Sequence, residues 1–142
     1  MTCVLSVDHS RIKVEENGRQ ATVLNPNRED YKKIEIDDCL IRQGIRCDWA
    51  IHRQGVGTVF IELKGSNVSH AIEQLFATVP REEVRPYTLG EIGFLVVCSQ
   101  IPKFGSHIAK AKVRAAREYK AGFRVVKNRA EFRLPDVLRI TE

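Results

Sequence analysis

No apolar run in this chain approaches the ~18–20 residues that a membrane-spanning helix needs, so a membrane protein of the helical kind is not expected. The first residues, MTCVLSVDHSRIKVEE, lack a basic start, an apolar centre and a small-residue cleavage site, and do not read as a signal peptide. Cysteine is sparse. Cys3, Cys39, Cys47 and Cys98 include no CxxC pair, and no His/Cys spacing suits zinc. The expectation is a cytoplasmic, reducing setting with buried thiols rather than disulfides or a zinc ribbon. Cys39 and Cys47 flank one turn and are read as two buried thiols. Internal repeats, low-complexity segments and linkers are absent as well.

What is present fits one domain spanning 1–142. Hydrophobic residues make up 43%, enough for a core, and the 29% of charged residues is not a disordered composition. Residues 3–7, 11–16 and 19–24 read as strands, with Asn17-Gly18 as a hairpin turn. Asn25, Pro26, Glu29 and Asp30, then Lys32 and Lys33, carry helix-start and helix-end signals, so a short helix is expected at about 26–33. Strands follow at 34–41, 46–53 and 58–64. A helix over about 67–79 comes next, capped by Ser66 or Asn67 and stopped by Pro80. Residues 92–98 form an apolar run suited to a strand buried on both faces. A helix over about 106–121 with Gly122 at its end, a strand at 123–127 and a further strand at 131–134 complete the order.

The stretch from Cys47 to Leu75 organises the rest. Side chains two apart on a strand share a face, so Glu62 and Lys64 go with Phe60, and Asp48 goes with Ala50 and His52. A hairpin loop centred on Gly55 places Asp48 directly opposite Glu62, at roughly 4.5–5.5 Å between facing Cβ atoms. That spacing suits two carboxylates holding one divalent cation. Without a cation the charges repel, and Lys64 beside them lowers the cost.

Asp48, followed by Glu62-Leu63-Lys64 across a hairpin, then a helix and a buried strand, resembles the PD-(D/E)XK nuclease superfamily. The layout is similar to that of archaeal Holliday-junction resolvases. The resemblance covers about half the chain. It implies a restriction-endonuclease-like αβββαβ core over about 26–128, in a mixed α/β (α+β) sheet flanked by helices, with residues 1–25 as an N-terminal β-hairpin extension. It implies a Mg²⁺- or Mn²⁺-dependent nuclease cutting phosphodiester bonds, with DNA the favoured substrate. Asp48, Glu62 and the Leu63 carbonyl would hold the metal, and Lys64 would orient water or neutralise phosphate. Gln74 stands where many members carry a helper residue. The acid of the first helix would be Glu29 or Asp30, with Glu35, Asp37 and Asp38 on the next strand as fallbacks. Cys47 stands where the name-giving proline would be. A second E-x-K, at Glu118 to Lys120, lies in a basic helix without a partner strand.

From Ile101 to Ala130 nine basic residues face one acid, a local charge of +8 within a chain of +5. Lys110, Lys112, Arg114, Arg117 and Lys120 are the candidate nucleic-acid contacts. Ile108, Ala111, Ala115 and Tyr119 make the inward stripe of the same helix. A homodimer would let so small a domain cut both strands. Blander readings stand beside these. Glu62 and Lys64 also suit a solvated charge pair. His70, Gln74 and His52 suit exposed positions, and the basic helix suits an ordinary solvated face. A catalytically degenerate relative that binds nucleic acid or protein, and an unrelated α/β interaction module, are the alternatives.

Overall fold

The computed structural model describes residues 2–140 apart from Gly65 and Phe104; the side chain of Lys64 also lies outside the described part. Nine strands and three α-helices are described. They are β1 Val4–Val7, β2 Arg11–Glu16, β3 Arg19–Leu24, β4 Tyr31–Glu35, β5 Trp49–Arg53, β6 Gly57–Lys64, α1 Val68–Thr78, β7 Ile92–Cys98, α2 Ser106–Tyr119, β8 Gly122–Lys127, β9 Arg129–Phe132 and α3 Leu134–Leu138. A 3-10 helix, Glu82–Tyr87, links α1 to β7. No helix among the described residues is long and apolar enough to cross a membrane.

Six strands form a mixed sheet in the order β1-β4-β5-β6-β7-β8. Pairing is antiparallel from β1 to β6 and parallel from β6 to β8. All seven residues of β7 are buried, as expected for a run covered on both faces. The covers differ from the expected flanking helices on one face. α1 and α2 close one face over Phe60, Phe94 and Phe123. A three-stranded sheet, β2-β3-β9, closes the other, seating Ile12, Val14, Ala21 and Val23 on Ile51, Val59, Ile61 and Leu95. The N-terminal piece is therefore half of a sandwich, and β1 leaves it to pair with β4.

α3 crosses the main sheet where β7 and β8 carry paired glycines, Gly93 opposite Gly122. A Cβ at Gly122 would lie 2.2 Å from the carbonyl oxygens of both Val137 and Arg139. Only glycine leaves room for that backbone approach.

The short helix expected at 26–33 does not form. Asn25, 3% exposed, clamps a loop instead: its Oδ1 accepts from the Glu29 N–H at 3.0 Å, and its Nδ2 donates to the Glu29 and His9 carbonyls. Side-chain bonds of this kind compete with a helix too short to stand on its own bonds. The strand expected at 34–41 ends early, at Glu35, because the chain turns at Asp38, whose φ is 59°. Gly122 opens β8; the left-handed residue after α2 is Lys120, with φ 52°.

The thiol expectation is corrected too. Cys3 and Cys39 form a disulfide, with Cα atoms 5.6 Å apart. The pairing of β1 with β4 brings the two together: the Glu35 N–H donates to the Cys3 carbonyl, and Cys39 lies on the turn that follows. Cys47 and Cys98 are free and buried.

Candidate active site

The hairpin register is the one that the glycine spacing implies. Trp49 faces Ile61 and Arg53 faces Gly57, a ladder centred on Gly55. One step further along this ladder Asp48 meets Glu62. Asp48 lies just before β5 rather than within it. Both carboxylates are withdrawn from water, Asp48 at 7% exposure and Glu62 at 1%. Asp48 Oδ2 accepts the Leu63 N–H at 2.9 Å, which ties it to the strand opposite. Lys64 continues β6 beyond Glu62 and pairs in register with Cys98, which in turn pairs with Lys127. The site thus sits at the C-terminal end of the parallel strands, the usual place for ligands in such sheets.

Several contacts hold the approach to Asp48. Thr78, fully buried on α1, accepts the Cys47 N–H at 2.8 Å and donates to the Gln74 carbonyl. Gln74 donates to the Arg46 carbonyl at 2.9 Å, so its amide braces the backbone that leads into Asp48. Its Oε1 is buried without a hydrogen-bond partner. The Asp48 carbonyl accepts both the Ile36 and Asp37 N–H groups, at 3.0 and 3.2 Å. This double acceptance carries Asp37 to the site.

A fourth carboxylate comes from β2, where no site residue was expected. Ile12, Val14 and Glu16 share one face of β2. The first two are buried on the main sheet, and Glu16, the last residue before the Asn17-Gly18 turn, reaches past its end. Oxygen atoms of Glu16, Asp37 and Asp48 lie within 4.8 Å of one another. Burial, then the charge of Asp48 and a hydrogen bond to it, push the Glu16 carboxyl up to about 7. The raised Glu16 carboxyl reflects its burial and the negative charge of Asp48 beside it. Arg46 offsets part of the local negative charge, with Nε 2.9 Å from Asp37 Oδ1. Strand alternation was the available signal for Glu16, because it puts this acid on the inward face of β2.

Other candidates lie elsewhere. Glu29 forms an ion pair with Arg53, at the far end of β5 from Asp48. His70 is half-buried at the start of α1, its Nδ1 3.7 Å from the Glu73 carboxylate. On α2, Lys110, Arg114 and Arg117 face solvent and Lys112 is half-buried. Ala111 and Ala115 face the core. Arg114 bonds Glu118 at 2.9 Å and lies 4.3 Å over the Phe76 ring, so part of its charge is already matched. Lys120 is exposed at the end of α2. Burial raises the pKa of the Cys47 thiol far above the ordinary range, which makes it inert beside the carboxylates.

Comparison with protein-family models, curated proteins and solved structures returned no match.

Proposed function

We infer that this chain is a metal-dependent phosphodiester hydrolase of the PD-(D/E)XK kind, acting on nucleic acid, with DNA favoured. The observation that carries the reading is the pair Asp48 and Glu62, withdrawn from water at facing positions of one hairpin, with Lys64 two residues further on. A divalent cation between two facing carboxylates would offset their mutual repulsion. Burial and the negative charge of Asp48 raise the Glu16 carboxyl beside it.

The donor set fits a hard divalent cation, Mg²⁺ or Mn²⁺: all of it is oxygen. Asp48 and Glu62 would hold the ion with the Leu63 carbonyl, and Glu16 replaces Glu29 as the added acid. When bound, the ion supplies Lewis-acid activation of water and phosphate. The protein's own part is positional. The Leu63 N–H fixes the Asp48 carboxylate, and Gln74 and Thr78 fix the backbone before it. Lys64 would be the cation for a developing oxyanion. Lys127, in line with Lys64 across the strand ends, and the outward face of α2 supply charge for the phosphate backbone. A homodimer would offer two such sites to a duplex. Action on nucleic acid suits the cytoplasm, and the Cys3–Cys39 disulfide is a bond that suits an oxidising compartment instead.

One observation favours a degenerate, binding-only protein of the same layout: the first helix is missing, and Glu29 is engaged with Arg53. Cleavage of labelled DNA and RNA with Mg²⁺ or Mn²⁺ separates the two readings. Metal-dependent cutting by the wild type, lost in Glu62→Ala and Lys64→Ala, supports the hydrolase. A folded wild type that binds nucleic acid and cuts none of it leaves the binding protein.

A further inference from the structure

The carboxylates occupy one end of the β5–β6 hairpin. At the other end Lys32, His52 and Thr58 stand side by side across β4, β5 and β6. Lys32 and His52 line a cleft of about 880 Å³, walled by Pro86, Tyr87 and Leu89. Ala50, fully buried on β5, lies between this cleft and Asp48, which precedes the strand.

His52, expected to be merely solvated, is held in place. Its Nδ1 lies 2.7 Å from Thr58 Oγ1. The Thr58 hydroxyl has a single proton and donates it to the Tyr87 carbonyl at 2.6 Å. It must therefore accept from His52, so Nδ1 carries the hydrogen and Nε2 of the neutral ring is left as an acceptor. Thr58 is fully buried, so water does not compete for this relay. The Tyr87 ring meets His52 edge-on, with centroids 5.2 Å apart, and fixes its plane. Burial, and after it the charge of Lys32, lowers the pKa of His52 and favours the neutral ring.

The cleft therefore combines three recognition elements. Lys32 is an ammonium with no carboxylate partner among the described residues. The other cation of the lining, Arg53, is matched by Glu29. His52 Nε2 is a fixed acceptor. Leu89 is an apolar side chain, 84% exposed, beside Pro86. The volume lies in the range of small-molecule sites and far exceeds the needs of a bare anion. We propose that this cleft binds a phosphorylated small molecule of nucleotide size, with its phosphate on Lys32, a hydroxyl or amine donating to His52 Nε2, and its ring against Leu89 and Pro86. The site is independent of the hydrolase reading.

The test is a titration of the full chain with the four nucleoside 5′-monophosphates, and with inorganic phosphate alone, followed in the imidazole ¹H–¹⁵N spectrum and by calorimetry. The free protein should show His52 protonated on Nδ1. A saturable shift of its Nε2 with at least one nucleotide is expected. Lys32→Ala and His52→Phe should each weaken that binding about tenfold, the scale of one charge-assisted hydrogen bond, with the amide spectrum otherwise unchanged. No saturable shift at millimolar nucleotide overturns the proposal. So does binding that survives both substitutions, which lies elsewhere, or phosphate binding as tight as nucleotide binding, which leaves Leu89 and Pro86 without a role.

Discussion

Replacing both Cys3 and Cys39 with serine should destabilise the protein by about 4 kcal/mol at most. The bond joins residues 36 positions apart, and closing a loop of that length removes about that much chain entropy from the unfolded state. Retained structure in the unfolded chain lowers the figure, so about 2–4 kcal/mol is the working range. For a chain of this size that corresponds to a fall in Tm on the order of 10 °C. The effect should be local as well as global. β1 is an edge strand with one neighbour, β4, and Cys39 lies two residues after Asp37. Urea denaturation of wild type and double variant, each with and without reductant, measures the cost. Thiol titration in denaturant without reductant should find two free groups, Cys47 and Cys98. Four reactive thiols there, or a double variant with the wild-type urea midpoint, would refute the reasoning.

Three further outcomes follow from the geometry. Gly122→Ala should cost about 1–3 kcal/mol, read as a lower urea midpoint, because its Cβ would drive α3 off the sheet; an unchanged midpoint would show that α3 packs differently. Thr78→Val should cost about 1–3 kcal/mol and weaken Mn²⁺ binding in calorimetry, because the buried Cys47 N–H loses its acceptor. Glu16 is raised from 4.5 to about 7 in the folded chain. Its contribution to stability is therefore complete below pH 4.5 and lost as pH rises to about 7. Denaturation midpoints across that window should decline for the wild type and lose this component in Glu16→Gln.

Much of the site was legible because strands have a strict period. Gly55 and Gly57 locate the turn, alternation assigns faces, and together they bring Asp48 opposite Glu62 before any coordinates. β7 was legible as an unbroken apolar run, and α2 through its inward Ile108, Ala111, Ala115 and Tyr119. The helix at 26–33 was misread because its letters also suit a clamped loop, and Asn25 decides between the two by reaching both ends of that loop.

The sequence alone determined local matters: strand faces, hairpin turns, helix stripes, and the charge excess after Ile101. These depend on neighbours a few residues apart, where covalent geometry fixes the outcome. The tertiary structure decided which distant segments meet. It seated the β2–β3 hairpin on the main sheet and so delivered Glu16 to Asp48. It brought Cys3 to Cys39 through the pairing of β1 with β4, and it linked His52 through Thr58 to Tyr87. The contacts of Glu16 with Asp48, Cys3 with Cys39 and Thr58 with Tyr87 each span a long stretch of chain and depend on how whole apolar faces pack, and no short sequence period carries that information.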